Sequence, residues 1–292
     1  MSSSADIKKL FGYEGKTVVV SGAFSGMGLA AVKLLTELGA KVYVICRRNG
    51  RHSEMPYPVE GVLYGDFGKK EDLDQLAAEL EKLPEDIFAL FLCHGIALKN
   101  DASNALEVQK VNFLGHKYLL EKIIHKVADR GSVNIISSTG GFGWQDNVEK
   151  CMEVIQTKTY EEAIAWYEAH PEDIQSGYVF SKQCLCTYVK AMVHEPMFID
   201  RKIRLNAINP GNTITGLTDD FNRESSPTGN AEEGKAMIET LFLESWNGHW
   251  ATSEEMGYPL VAIGSNIFSY MSGQVIYFDY GMSSVWEMDA LI

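Results

Sequence analysis

Seven short apolar or β-branched runs punctuate the chain, at residues 17–20, 42–46, 61–64, 87–92, 133–137, 204–209 and 274–278. Each is of strand length and is bounded by polar or turn-forming positions. Between them, residues 29–38, 73–83 and 115–127 repeat apolar side chains at three- and four-residue intervals, the mark of helices with one buried face. Strand alternating with helix predicts a parallel sheet covered on both faces. A closed barrel needs eight such units, and only seven strands are found. The pattern therefore predicts a Rossmann-type, doubly wound α/β fold with a seven-stranded parallel sheet, in one domain spanning residues 1–292.

Two stretches break the rhythm, 141–177 and 216–256, and both follow the carboxyl ends of strands, where open α/β sheets bind ligands. In the first, Asp146 or Asn147 is placed to cap a helix carrying Val148, Met152 and Ile155, and Thr159 with Glu162 forms a capping-box signature for a second. This reads as a helix-turn-helix insert acting as a flap. Glu149 and Glu153 share one face of it, which is either solvated or, through Glu153, able to reach a catalytic proton network on closure. The second stretch carries Leu217, Phe221, Met237, Leu241, Phe242, Trp246 and Trp250, a set that either packs a loop helix or receives a rigid apolar ligand. Residues 1–14 read as an N-terminal extension.

Charge and composition narrow the function classes. The formal net charge of −13 and the lack of a basic stripe argue against nucleic acid. No apolar run reaches membrane-spanning length, and Met1 to Tyr13, with Lys8 and Lys9, lacks the apolar core of a signal peptide, so a cytoplasmic protein is expected. The five cysteines, Cys46, Cys93, Cys151, Cys184 and Cys186, lack metal-ligand spacing, and no metal site is expected.

Candidate chemistry starts at Tyr178 and Lys182, one helical turn apart on one face. A fixed cation beside a phenol favours the phenolate and draws its pKa toward the range of a working acid or base. Just after the first strand, Ser21-Gly22-Ala23-Phe24-Ser25-Gly26-Met27-Gly28 leads directly into a helix. Glycines there permit positive φ and close backbone approach, and the helix start offers free N–H groups to a pyrophosphate.

With these motifs the chain resembles the short-chain dehydrogenase/reductase family, with Ser21 in place of the usual threonine. The landmarks run in order over nearly the whole length: Asp66 and Phe67 after the third strand, Cys93-His94-Gly95 after the fourth, Asn112, Ser138, Tyr178 and Lys182, then Pro210-Gly211 with Thr213 and Thr215. Cys93-His94-Gly95 departs from the family's Asn-Asn-Ala-Gly and is read as a backbone wall for the cofactor. The resemblance implies that Tyr178 exchanges a proton with a carbonyl oxygen, that Ser138 hydrogen-bonds the same oxygen, and that Lys182 binds the nicotinamide ribose and lowers the tyrosine pKa. It implies that Asn112 holds a relay water. It further implies cofactor binding by Ser21, Gly22, Ser25, Gly26, Met27, Gly28, Arg47, Asp66, Phe67, Cys93, Gly95, Tyr178, Lys182, Pro210, Gly211, Thr213 and Thr215.

Arg47 and Arg48 end the second strand without an acid, which leans toward NADP(H) or is a solvated strand end. The glycine turn lacks the cation that often supports a 2′-phosphate. Within the family the chain looks most like bacterial hydroxysteroid dehydrogenases, those acting at the steroid 20β position among them, and that likeness implies NAD(H). The expected reaction interconverts a steroid ketone and a hydroxysteroid, with Glu153, Leu217, Phe221 and Trp246 at the substrate. A carbonyl or 3-oxoacyl reductase, a 3α-hydroxysteroid dehydrogenase and a dinucleotide-sensing regulator are the alternatives. The last strand is of the kind that packs in a homodimer or homotetramer.

Overall fold

The computed structural model describes residues 4–47, 55–97, 102–244 and 249–289. Seven strands form one sheet: β1 (Thr17–Ser21), β2 (Lys41–Cys46), β3 (Gly61–Tyr64), β4 (Ile87–Leu92), β5 (Val127–Ile136), β6 (Arg204–Pro210) and β7 (Val275–Phe278). Their order is β3-β2-β1-β4-β5-β6-β7, and every pair is parallel. This is the doubly wound sheet that the strand–helix alternation predicts.

Alternate residues of each strand feed opposite layers. Val19, Leu90, Leu92, Val133, Ile135 and Leu205 join the helices Lys70–Leu80, Gly115–Ile123 and Tyr178–Met192 in one core. Val18, Val20, Ala89, Phe91 and Ile208 pack with Gly26–Glu37 and Ser253–Gly264 in the other. Burial on both faces explains why the central strands are continuous apolar runs rather than alternating ones. Near the N-terminus, the helix Ser4–Phe11 leads to Tyr13, which is fully buried and donates its hydroxyl to Val261 O at 2.7 Å.

The fifth strand begins at Val127, earlier than its apolar run at 133. Ile87 pairs with Val127 while Ala89 pairs with Ser132, so the intervening residues bulge out. Arg130 there has φ 62°, and the polar Asp129-Arg130-Gly131 segment reads locally as a turn.

The insert folds into two helices, Val148–Ile155 and Tyr160–Ala169. Its caps differ from expectation. Asn147 uses its amide to donate to Gln183 Oε1 at 2.8 Å instead of capping. Thr159 does cap, accepting from Glu162 N at 3.1 Å, but the Glu162 carboxylate turns to Lys158 N at 2.7 Å, one residue earlier than a capping box requires. Cys151, Val154, Ile155, Ala163 and Tyr167 share the core of Phe180, Cys184 and Tyr188, so the insert is a second helical layer outside the Tyr178–Met192 helix. Lys117, nearly buried, ties it down through Thr157 O at 2.8 Å and pairs with Glu121 at 3.1 Å. No helix among the described residues is long and apolar enough to cross a membrane.

Candidate active site

Strand order reverses between β1 and β4, and the crevice lies at their carboxyl ends. Ser21 fixes that point, its hydroxyl accepting from Cys93 N at 3.0 Å across the two strands. Gly22 follows with φ 64°, and a Cβ there would stand 2.8 Å from Cys93 O, so only glycine lets the turn lie against β4. The helix Gly26–Glu37 then starts behind Ser25, whose side chain makes no cap bond. Its first-turn N–H groups are left for a ligand, and the positive end of the helix favours an anion. Ser25, Gly26, Met27, Arg47, Gly95 and Thr215 are among the residues that wall a cleft of about 430 Å³ here. The donor set and the glycine cradle fit a dinucleotide pyrophosphate.

Tyr178 is the first residue of its helix, entered through Gly177 at φ 42°. A methyl group on Gly140 would come within 3.2 Å of the Tyr178 ring and 3.4 Å of Ser138 Oγ, so the bare backbone of Gly140 lets phenol and serine meet. Ser138 Oγ accepts from Gly140 N at 3.0 Å, which leaves its proton free to point outward. Lys182 is 2% exposed; its ammonium donates to Ile136 O at 3.2 Å and lies 5.4 Å from the Tyr178 ring centre. Asn112 sits in a π-helical turn, Lys110–Leu114. Its amide clamps the loop after β4, accepting from Ile96 N at 2.8 Å and donating to Ile96 O at 3.0 Å and Ser181 Oγ at 3.2 Å. A Cβ on Gly95 would be 3.7 Å from both Asn112 Oδ1 and Lys182 Nζ. The four residues Asn112, Ser138, Tyr178 and Lys182 are thus brought to one place.

Their electrostatics follow from burial. Burial pushes the Tyr178 phenol up to about 12, with Ser138 acting against it and the charge of Glu224 adding to it. Burial also holds the Lys182 ammonium down at about 8, opposed by Cys186 and Cys93. In the protein alone, desolvation outweighs the mutual tuning that the tyrosine–lysine spacing suggests.

A second cavity of about 400 Å³ opens over Ser138 and Tyr178, shares Met27, Gly95, Thr215 and Leu217 with the glycine-turn cleft, and so continues it. Pro210, Gly211 and Thr213 line it as well. Leu217, Phe221, Ile238, Phe242, Trp250 and Trp286 make its wall apolar. Phe221 stands edge-on to Tyr178 with ring centres 4.9 Å apart and an angle of 86°.

Some residues singled out in the sequence lie elsewhere. Asp66 Oδ1 closes its own turn onto Gly68 N at 3.0 Å, and Phe67 is buried beneath His94; neither lines the two cavities. Glu153 Oε2 accepts from Trp166 Nε1 at 2.8 Å within the insert, and no residue of 141–177 lines the reaction cavity. The flap reading is corrected accordingly: the apolar faces of the insert are spent on the helix core. Met237 and Leu241 point outward, and Trp246 and Arg48 lie outside the described residues. Met282 and Trp286, from the terminal helix Met282–Asp289, and Ile238 were not anticipated. The four-residue spacing of Met282 and Trp286 was the available signal.

A family model described as short chain dehydrogenase matches residues 16–149. Coniferyl-alcohol dehydrogenase of Pseudomonas sp. (strain HR199 / DSM 7063) is 28% identical over 207 residues, covering 70% of this chain and 76% of that protein. The 3-oxoacyl-[acyl-carrier-protein] reductase FabG of Rickettsia prowazekii (strain Madrid E) is 24% identical over 288 residues, covering 93% and 98%. Among solved structures, L-sorbose reductase from Gluconobacter frateurii, complexed with NADPH and L-sorbose, superposes with a TM-score of 0.72 at 18% identity, covering 94% of this chain and 98% of that one. That likeness concerns the fold.

Proposed function

We propose that this chain is an oxidoreductase of the short-chain dehydrogenase/reductase family and that it interconverts a steroid ketone and the corresponding hydroxysteroid, acting at C20. The observation that carries the substrate class is the cavity wall of Leu217, Phe221, Ile238, Phe242, Trp250 and Trp286 facing the Tyr178 phenol. Such a wall suits a rigid apolar body whose one reactive oxygen meets Ser138 and Tyr178.

When bound, a nicotinamide dinucleotide supplies or accepts the hydride. The chain's own residues do the rest. In the reducing direction the Ser138 hydroxyl donates to the carbonyl oxygen and Tyr178, protonated at neutral pH, delivers its proton there. The phenolate left behind is stabilised by the Lys182 ammonium across the 5.4 Å between cation and ring. In the oxidising direction the same phenolate takes the proton from the alcohol. The N–H groups of Lys182 not spent on Ile136 O would hold the nicotinamide ribose, and the start of the helix Gly26–Glu37 the pyrophosphate. At the adenosine end Arg47 lines the cleft with no acid at the end of β2, an arrangement suited to a 2′-phosphate, whereas the likeness to hydroxysteroid dehydrogenases favours NAD(H).

A second reading, a carbonyl or 3-oxoacyl reductase, is supported by the Rickettsia relative spanning 93% of the chain. One panel separates them: NADH and NADPH oxidation against 20-oxo, 17-oxo and 3-oxo steroids, a 3-oxoacyl thioester and an aryl aldehyde. Turnover with the 20-oxo steroid is expected; thioester turnover without steroid turnover would replace the first reading by the second. Tyr178→Phe should lower kcat by about 10²- to 10⁴-fold while cofactor binding persists.

A further inference from the structure

Interiors of folded proteins leave few voids larger than a water, yet a further cavity of about 280 Å³ lies beside the reaction cavity. Its lining comes from the loop after β6, the π-helical turn Glu239–Glu244, the approach to the helix Ser253–Gly264 and the end of β7. Leu243, Ala251, Met256 and Phe278 make that lining mainly apolar. Gly211, Asn212, Phe242 and Met282 line both cavities, so the two adjoin at these four residues.

The backbone holds the frame. Gly211 N donates to Phe278 O at 3.0 Å, Ala251 N to Asn212 O at 2.9 Å and Ile214 N to Ala251 O at 2.9 Å. Past β7, Tyr280 has φ 59°, in the left-handed region that a side chain disfavours. Asp279 fixes that turn, accepting from Gly281 N at 2.9 Å and Ser283 N at 2.8 Å, and the helix it starts brings Met282 to both cavities and Trp286 to the reaction cavity. Glu255 is likewise engaged, accepting from Thr252 N at 2.7 Å and pairing with His249 at 3.2 Å. Asn212 differs. Its side-chain amide makes no hydrogen bond to a described residue, although it stands where the cavities adjoin. An amide among apolar walls offers a donor and an acceptor to a ligand. Space points the same way. Met27, Gly95 and Thr215 line both the glycine-turn cleft and the reaction cavity, so a dinucleotide entering from the cleft takes up part of the reaction cavity, and a long rigid substrate needs room beyond what remains.

We propose that the adjoining cavity is the distal half of the substrate site: it receives the end of a rigid apolar ketone remote from the reacting carbonyl, and the Asn212 amide hydrogen-bonds a second oxygen on the same molecule. This rests on the steroid reading above and extends it, because a ketone confined to the reaction cavity gains nothing from the adjoining one. Selectivity for length then resides in Leu243, Ala251, Met256 and Phe278, none of which lines the reaction cavity.

The test compares, as substrates of the holoenzyme, a 20-oxo steroid bearing a second oxygen with acetophenone, a short aryl ketone. Ala251→Leu adds bulk to the adjoining cavity and should lower kcat/KM for the steroid at least about tenfold while acetophenone changes less than about twofold. Asn212→Ala should raise the steroid KM about two- to tenfold. Equal losses on both ketones, or a steroid kcat/KM at the wild-type level in Ala251→Leu, would overturn the proposal, and an unchanged steroid KM in Asn212→Ala would overturn the part given to the amide. If Ala251→Leu does not fold, Leu243→Phe is read in the same way. Should the wild type reduce no steroid, the steroid reading fails by itself and steroid binding, followed by quenching of tryptophan fluorescence, decides the cavity: affinity at least about tenfold lower in Ala251→Leu supports it, whereas equal affinity or no binding overturns it.

Discussion

Lys182 is a buried cation with one hydrogen-bond acceptor, and replacing it should stabilise the protein while abolishing its chemistry. Burial lowers its pKa from 10.5 to about 8, a difference of about 3 kcal/mol at about 1.4 kcal/mol per pH unit. The sign follows from proton counts. Below pH 8 both folded and unfolded chains hold the proton, and the folded state bears the whole cost of the buried charge. Between pH 8 and 10.5 the unfolded chain binds more protons than the folded one, so stability rises with pH until the cost is gone. Lys182→Met keeps the length and removes the charge, but leaves Ile136 O without its 3.2 Å donor, a loss of about 1–2 kcal/mol. The net expectation at pH 7, without cofactor, is a gain of about 1–2 kcal/mol, or about 2–3 °C in Tm for a domain of this size. Thermal melts of both proteins at pH 7 and pH 10 test this. The gap should shrink at pH 10, where the wild type sheds its penalty. A variant less stable at pH 7, or a gap indifferent to pH, would refute the reasoning. Stability given up at one residue is what a functional site commonly costs.

Three further outcomes are expected. Glu224 is pushed up to about 7 by burial, and its charge raises the Tyr178 phenol; Glu224→Gln should therefore move the alkaline limb of ketone reduction, and the onset of alcohol oxidation, to lower pH, as read from kcat profiles in both directions. Arg47→Ala should weaken NADPH about ten- to a hundredfold in a fluorescence titration and leave NADH nearly unchanged; equal losses would mean that Arg47 does not read the 2′-phosphate. Gly22→Ala must accept φ 64° and a Cβ 2.8 Å from Cys93 O, so it should lower stability by at least about 1–2 kcal/mol and abolish dinucleotide binding, a melt and a titration being the checks.

What the sequence shows and hides follows from how local each signal is. Strands buried on both faces are largely apolar, with Asn134 in β5 and Asn206 in β6 as buried polar exceptions, and all seven are visible as runs. The bulge in β5 is hidden because Ala128-Asp129-Arg130-Gly131 looks like a turn unless its pairing with β4 is known. Tyr178 and Lys182 are legible from their four-residue spacing, whereas Ser138, just past the end of β5, and Asn112, inside a helical run, are found only through the family resemblance. The substrate wall is only partly so: Leu217 and Phe221 belong to an evident aromatic stretch, but Trp286 reaches the cavity from the far end of the chain, held by Phe142 at 5.2 Å and Phe242 at 6.3 Å between ring centres. Glu153 fails as a gating residue for a related reason. Its i, i+4 spacing with Glu149 says which face it shares and nothing about Trp166, which takes its carboxylate.

The insert bears on where selectivity can reside. A mobile lid needs a face that is free when open, yet Cys151, Val154, Ala163 and Tyr167 are fully buried against the Tyr178–Met192 helix, and uncovering them would expose several large side chains at about 1.5–3 kcal/mol each. Motions that cheaply expose the site belong to segments with fewer buried contacts. The helices Thr218–Ser225 and Ala231–Ile238 qualify, with exposed Met237 and the charged Asp219, Asp220, Glu232 and Glu233 along them. They pack as a pair, because Gly234 lies so close against Asn222 O that any side chain there would collide with it. Phe221 and Ile238, one on each helix, line the cavity, so a shift of the pair reshapes the substrate wall at two points together. The insert, by contrast, braces the helix that carries Tyr178 and Lys182 from outside.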